Sequence, residues 1–319
     1  MSTNDIIRAF LLICLKHYVL PLSIICIFAA YLSFLMKSKF IIPPIPAVLS
    51  AIVSVQCGAA IAKGLFPEIG AAATASLRIG LSAIILLVAF RPKLSELNAK
   101  QWKYVILYGL SLGAMNMIFY FAIERIPIGL GVTLEFVGPL VVAIFSSKKA
   151  VDFIWVILAA AGIALIAPWT DKGLDLIGVL LALLAGAFWA AYILLGGRIS
   201  KIMKGGEAVA VGMLFATILI LPFGFAGGGL NHLNPKLLAL GAALALLSSA
   251  IPFTLEITAL KQLPPRTFSI LMSLEPAMAS LAAFVFLQEY LTVVECAAVA
   301  CVVIATAGSS LTAKKTLEI

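Results

Sequence analysis

A chain of 319 residues that is 63% apolar and only 11% charged, with a mean hydropathy of +1.16, cannot clothe a globular surface, because soluble domains carry roughly 25% charged residues. Its net charge of +8 does not mark a nucleic-acid binder, since the basic residues fall in short breaks between apolar windows, where they set membrane orientation. Composition therefore excludes a soluble domain and implies an all-α polytopic protein of the lipid bilayer.

The first 36 residues stand apart. Tyr18 to Met36 is apolar enough to span, but an eleventh span would put Arg8 and Lys16 outside in the orientation that the loop charges favour. Three readings stay open for 1–36: a true start at or near Met36, an extra peripheral N-terminal helix, or a cleaved segment, although Pro21 and the later aromatics leave no small-residue cleavage pattern.

Beyond this extension, ten apolar windows are expected to be transmembrane helices, at about 45–62, 70–90, 103–121, 127–147, 152–168, 175–196, 207–225, 236–257, 267–287 and 292–311. Each has about 17–22 residues, the length a helix needs to cross a hydrocarbon core of about 30 Å. Pro44 and Pro46, Pro127, and Asn234 with Pro235 mark helix starts. With the segment before Pro43 cytoplasmic, fifteen Lys/Arg fall inside, among them Arg91, Lys93, Lys148, Lys149, Arg198, Lys261 and Lys314. Only Lys63, Arg125, Lys172 and Lys236 fall outside. That bias places both ends of the ten-span unit, including the tail 312–319, in the cytoplasm.

Residues 122–145 and 259–282 align at a constant offset of 137, which superposes Pro127 on Pro264 and Pro139 on Pro276. Each copy follows the third span of its half, so the chain divides into two five-helix repeats, 45–168 and 175–311. Five is odd, so the second repeat enters the membrane inverted. Secondary transporters are often built this way, with the substrate site near the midplane; the alternative is a duplicated bundle without a transport role.

Residues 126–147 contain one ionisable side chain, Glu135, four residues before Pro139. Proline lacks an N–H and clashes with the carbonyl four residues earlier, here that of Glu135 itself. Lipid does not tolerate a freed carbonyl, so it is expected to face a neighbouring helix, a cavity or water. In the second repeat Pro276 acts on Met272, and Glu275 directly precedes the proline.

An ionisable group at mid-membrane costs about 2.5–3.5 kcal/mol even on the lenient insertion scale. Glu135, Glu275, Glu256 and Arg78 are accordingly candidates for substrate or proton binding, with structural ion pairing as the alternative. Glu256 lies late in its window and can instead extend toward the loop holding Lys261. Arg78 stays charged; it either receives a carboxylate of the cargo or, as the sequence favours, neutralises a glutamate. Gln56, Asn116, Tyr120, Thr133, Trp189, Tyr192 and Ser273 are polar candidates for the cavity wall. Asn116 and Tyr120, four apart, share a helix face; interhelical bonding and packing are the ordinary alternatives for all seven.

There is no GxxxxGK[ST] phosphate loop, and the FAGGGL cluster at 225–230 lacks the following lysine and hydroxyl. His17 and His232, the only histidines, are too far apart in the chain to read as a metal pair. No TVGYG-type filter points to a channel, and no convergent nucleophile or metal set points to an enzyme. No cofactor is expected. Cys14, Cys26, Cys57, Cys296 and Cys301 all lie in apolar windows and read as small buried hydrophobes.

Four stretches carry a family resemblance: SVQCGAAIAKGLFPEIGAAATASLRI (54–79), the run from Tyr108 to Gly162 with its Glu-x-x-Gly-Pro and Ser-Ser-Lys-Lys, GAFWAAYILLGGR (186–198) and RTFSILMSLEPAMASLAAFVFLQE (266–289). In these the chain resembles the ten-helix, EamA-like branch of the drug/metabolite transporter superfamily over about 45–312. The resemblance implies paired five-helix domains in the bacterial inner membrane and export of small amino acids, threonine and homoserine foremost, by proton antiport. The family's members differ widely in cargo, so another hydrophilic metabolite or drug is the alternative cargo, and direction of flux and oligomeric state do not follow. The 36-residue N-terminal extension departs from the compact pattern of the family.

Overall fold

The computed structural model describes residues 43–145, 151–166, 175–199, 201–260, 271–288 and 290–312, and every regular element among them is helical. The N-terminal extension, Pro264, Lys148, Lys149, Lys261 and residues 313–319 of the tail lie outside the described residues.

Helix α1 (Pro44–Phe90) contains 47 residues. Run straight it would reach about 70 Å, more than twice the thickness of the hydrocarbon core. It folds back instead at Gly70, whose φ of 77° and ψ of 163° follow Pro67 by three residues. That backbone region is open in practice only to glycine. The arms, 44–69 and 71–90, lie beside one another. Ser54 on the first donates to the carbonyl of Leu247 at 2.6 Å, and Ser82 on the second donates to that of Ala245 at 3.2 Å, so both arms meet one further helix at the same level.

Helix α2 (Ala99–Ile123) starts at a reciprocal cap: Asn98 Oδ1 accepts from the Gln101 amide and Gln101 Oε1 from the Asn98 amide, each at 2.9 Å. A broken helix follows as α3 (Ile128–Glu135) and α4 (Val137–Phe145), then α5 (Val151–Ile166). Helix α6 (Leu176–Ile199) is capped by Asp175, whose carboxylate accepts from the amides of Ile177 and Gly178 at 2.8 and 3.4 Å. Helix α7 (Gly205–Ala226) leads through a 3-10 turn at Gly229–His232 to α8 (Pro235–Ala245), a wide π turn (Leu246–Ala250) and α9 (Ile251–Leu260). The expected start at Asn234 and Pro235 is observed, with Asn234 accepting from the Leu237 amide at 2.9 Å. Helix α10 (Glu275–Ala282) runs into a second wide turn, Ala283–Leu287, before α11 (Val293–Thr312).

Among the described residues, five helical segments are long and apolar enough to cross a membrane: Pro44–Phe90, Ala99–Ile123, Leu176–Ile199, Gly205–Ala226 and Pro235–Phe253. The main core joins both arms of α1 to α2, α7, α8 and α9, with buried Ile52, Ile79, Leu112, Met213, Ile220 and Leu244. A second cluster binds the end of α2 to α3, α6 and α11. Large apolar side chains such as Ile84, Val88, Ile157, Leu180, Ile218 and Phe223 stand exposed on the outside, where acyl chains rather than water solvate them. The cysteines require a correction. Cys57 is buried, but Cys296 is exposed and Cys301 half-exposed, because an outward thiol on α11 meets lipid at little cost.

Candidate functional site

The two proline positions produce two matched breaks. Helix α3 ends at Glu135, Phe136 turns, and α4 resumes at Val137. In the second half Ser273 and Leu274 turn and α10 opens with Glu275. Phe136 and Ser273 are related by the offset of 137 that relates Pro139 to Pro276. The acids occupy different registers: Glu135 closes the segment before its break, whereas Glu275 opens the segment after its own.

The carbonyl that Pro139 deprives of a helical donor faces α6. A Cβ built on Gly186 would lie 2.6 Å from the Glu135 oxygen, so the approach requires glycine there, and Gly138 abuts the same residue from α4. At the second break, Ser280 Oγ donates to the Pro276 carbonyl at 2.9 Å.

Ionisable and amide side chains converge between these breaks. Gln56 Nε2 donates to Glu275 Oε1 at 3.4 Å. Arg78 donates through one terminal nitrogen to the Ser248 carbonyl at 3.3 Å, through the other to Asn116 Oδ1, and its guanidinium lies 5.0 Å from the centre of the Tyr120 ring. Asn116 Nδ2 donates to the Leu112 carbonyl at 2.8 Å, and Phe66 packs on Tyr120 with ring centres 5.6 Å apart. Asn116 and Tyr120 thus share the face expected of them. Glu135 is buried within electrostatic range of both Glu275 and Arg78.

The expected pairing of Arg78 with a glutamate is not formed: among the described residues no carboxylate lies within ion-pair distance of it, and neutral acceptors hold the guanidinium instead. Pro252 explains one of them. It offers no N–H to the carbonyls of Ser248, four residues back, and Leu247, five back across the wide turn; Arg78 and Ser54 donate to these. Sequence reasoning passed over Ser248 and Ser249, although the same rule used for Pro139 would have found Ser248 from Pro252.

Other candidates fall at the margin. Thr133 is buried but donates to the Gly129 carbonyl of its own helix at 2.7 Å. Trp189 packs edge-on against Phe136, with centres 4.7 Å apart. Tyr192 stacks on Tyr108 at 4.8 Å, their hydroxyls 3.1 Å apart; Tyr108 carried no sequence signal beyond its helical window. Half-buried Glu256 lies within electrostatic range of Glu275 and of this tyrosine pair. Ser273 is buried at the second break.

Gln56 Oε1, Arg78 Nε, Tyr120 Oη, Ser249 Oγ and Glu275 Oε2 are buried with no hydrogen-bond partner among the described residues. Each such group costs about 1–3 kcal/mol in a dry seam, so this concentration of them suits a locus that polar molecules enter.

An apolar multi-helix bundle with two broken helices and buried acids, amides and a guanidinium at their junction is the build of a secondary transporter. Residues 176–311 match the EamA-like transporter family. The chain belongs to this family and is a multi-pass protein of the bacterial inner membrane. It is 45% identical over 278 residues to the threonine/homoserine exporter RhtA of Salmonella typhimurium, covering 86% of this chain and 94% of that one. The exporter of the same name from Escherichia coli K12 is 42% identical over the same shares. An uncharacterized transporter of Bacillus subtilis, YwfM, is 26% identical across 68% of this chain and 75% of its own. One solved crystal structure, 18% identical, superposes with a TM-score of 0.54 over 84% of this chain and 98% of its own, a likeness of fold alone.

Proposed function

We propose that this protein is a secondary active exporter of small amino acids, threonine and homoserine foremost, that works by proton antiport and alternating access. The observation that carries the cargo is the 45% identity, over 86% of the chain, to a threonine/homoserine exporter.

Ten spans form two inverted five-helix repeats, 45–168 and 175–311. The fold-back of α1 at Gly70 supports two passes within what is otherwise one continuous 47-residue helix. The matched breaks and the pairing of elements support the inversion. The second arm of α1 packs on α7, α3 on α10 and α5 on α11, which are the second, fourth and fifth helices of one repeat on their counterparts in the other.

In the cycle, a zwitterionic amino acid enters from the cytoplasm and its ammonium group is received by ionised Glu135. A proton arriving from the periplasm neutralises Glu135, releases the ammonium and biases the opposite-facing state. Proton and cargo must favour different states, because equal affinity for both shifts no equilibrium. Glu135 suits this role because its buried carboxylate stands beside a helix break with no hydrogen-bond donor among the described residues.

Reconstituted proteoliposomes test the reading. Glu135→Gln is expected to abolish threonine flux driven by a pH gradient and to weaken threonine–threonine exchange as well, because the neutral amide cannot hold the ammonium group. Unchanged gradient-driven flux with unchanged pH dependence would remove Glu135 from the proton path.

A further inference from the structure

We propose that Arg78 is the receptor for a carboxylate on the cargo, which makes a free carboxylate the chemical feature this transporter demands. The proposal deepens the transport reading above and rests on it.

The guanidinium is permanently charged and its residue is 6% exposed. A buried charge left unpaired costs several kcal/mol, yet both acceptors that hold it, the Ser248 carbonyl and Asn116 Oδ1, are neutral. Glu135 lies within electrostatic range but forms no ion pair with it. Among the described residues the charge therefore lacks a contacting anion, and Nε–H, part of the edge from which arginine grips a carboxylate with two parallel bonds, has no partner.

The surroundings fix the guanidinium without neutralising it. Asn116 is a positioning residue: Nδ2 is tied to the Leu112 carbonyl, which turns Oδ1 toward Arg78. Tyr120 lies against the guanidinium, itself braced by Phe66. An aspartate at 116 would serve a purely structural arginine better, by giving it a permanent counter-ion. Its neutral isostere leaves the positive charge for a transient anion. With Arg78 taking the carboxylate, and Glu135 and Glu275 nearby for an ammonium group, the locus has the charge pattern of an α-amino acid.

The test is equilibrium binding to the purified full-length protein in micelles. The probes are L-threonine, L-homoserine, threoninol, in which CH2OH replaces the carboxylate, and 3-hydroxybutyrate, which lacks the amine. Threonine is expected to bind at least 10-fold more tightly than threoninol. Asn116→Asp loses the hydrogen bond to the Leu112 carbonyl but gains an ion pair with Arg78, and is expected to fold and to lose threonine affinity by roughly 10- to 100-fold, the range for a charge-assisted hydrogen bond. Arg78→Lys, which keeps the charge but not the fork, should fall between Asn116→Asp and the parent.

Equal binding of threoninol and threonine, or parental threonine affinity in Asn116→Asp, would overturn the assignment while leaving amino-acid transport standing. Binding of 3-hydroxybutyrate but of neither amino acid would do the reverse, upholding Arg78 as a carboxylate receptor and sinking the amino-acid reading. Binding of none of these carboxylates would remove both.

Discussion

Gly186 and Gly197 sit on one helix, α6, and substituting each by alanine separates packing from propensity. A Cβ at Gly186 would lie 2.6 Å from the Glu135 oxygen, 3.2 Å from its carbonyl carbon and 3.3 Å from its Cα; at Gly197 it would meet nothing within 4 Å. A C···O contact relaxes to about 3.3–3.6 Å, so Gly186→Ala must drive α6 and the end of α3 apart by about 0.7 Å. Both substitutions gain about 1 kcal/mol of helix propensity, but only Gly186→Ala incurs overpacking, about 1–3 kcal/mol. Gly197→Ala should therefore be neutral or stabilising and Gly186→Ala neutral to destabilising by about 2 kcal/mol, its Tm in detergent lying below that of Gly197→Ala by roughly 1.5–4.5 °C. Because the displaced atom belongs to Glu135, Gly186→Ala should also slow threonine efflux while Gly197→Ala does not. Indistinguishable Tm and efflux for the two variants would refute the claim that the broken helix is seated on a glycine.

Two further outcomes are expected outside the acid locus. Asn98→Ala, which removes the reciprocal cap of α2, should cost about 0.5–2 kcal/mol, read as a lower Tm with efflux per folded molecule unchanged. Asp175 is held below its ordinary carboxyl range first by its hydrogen bond from Arg125, at 2.8 Å, and then by the Ile177 and Gly178 amides. A depressed folded value means that its stabilisation is complete above the unfolded pKa of about 3.9 and fades as pH falls through the folded one. The Tm advantage of the parent over Asp175→Asn should accordingly be flat from pH 5 to 7 and shrink below about pH 4.

Much of the helical layout was legible because lipid imposes so plain a code. Windows at 103–121, 207–225 and 292–311 underlie α2, α7 and α11, and the prolines at 139 and 276 announced breaks that fall three residues before each. The kink at Gly70 lies where the first two windows part. Side-chain partners were less legible. In helices apolar all round, no polar stripe reveals which face is turned inward, so the rotation that brings Asn116 rather than Glu135 to Arg78 leaves no periodic trace. The acceptor at Ser248 depends on Pro252 and on the wide turn beside it, and Asp175 and Asn98 cap helices from loops whose ends hydropathy does not resolve.

The wide turn at Leu246–Ala250 also sets the rotational phase of α9. A π turn holds one residue more than an α-helix needs, and each residue of α-helix subtends about 100°. Shortening this stretch by a single residue would wind it into ordinary helix and swing Glu256 about a quarter of a circle away from Glu275, with every remaining side chain unchanged. The extra residue acts as an angular spacer, through which the shape of one turn of backbone decides whether the far end of the helix joins the electrostatics of its centre.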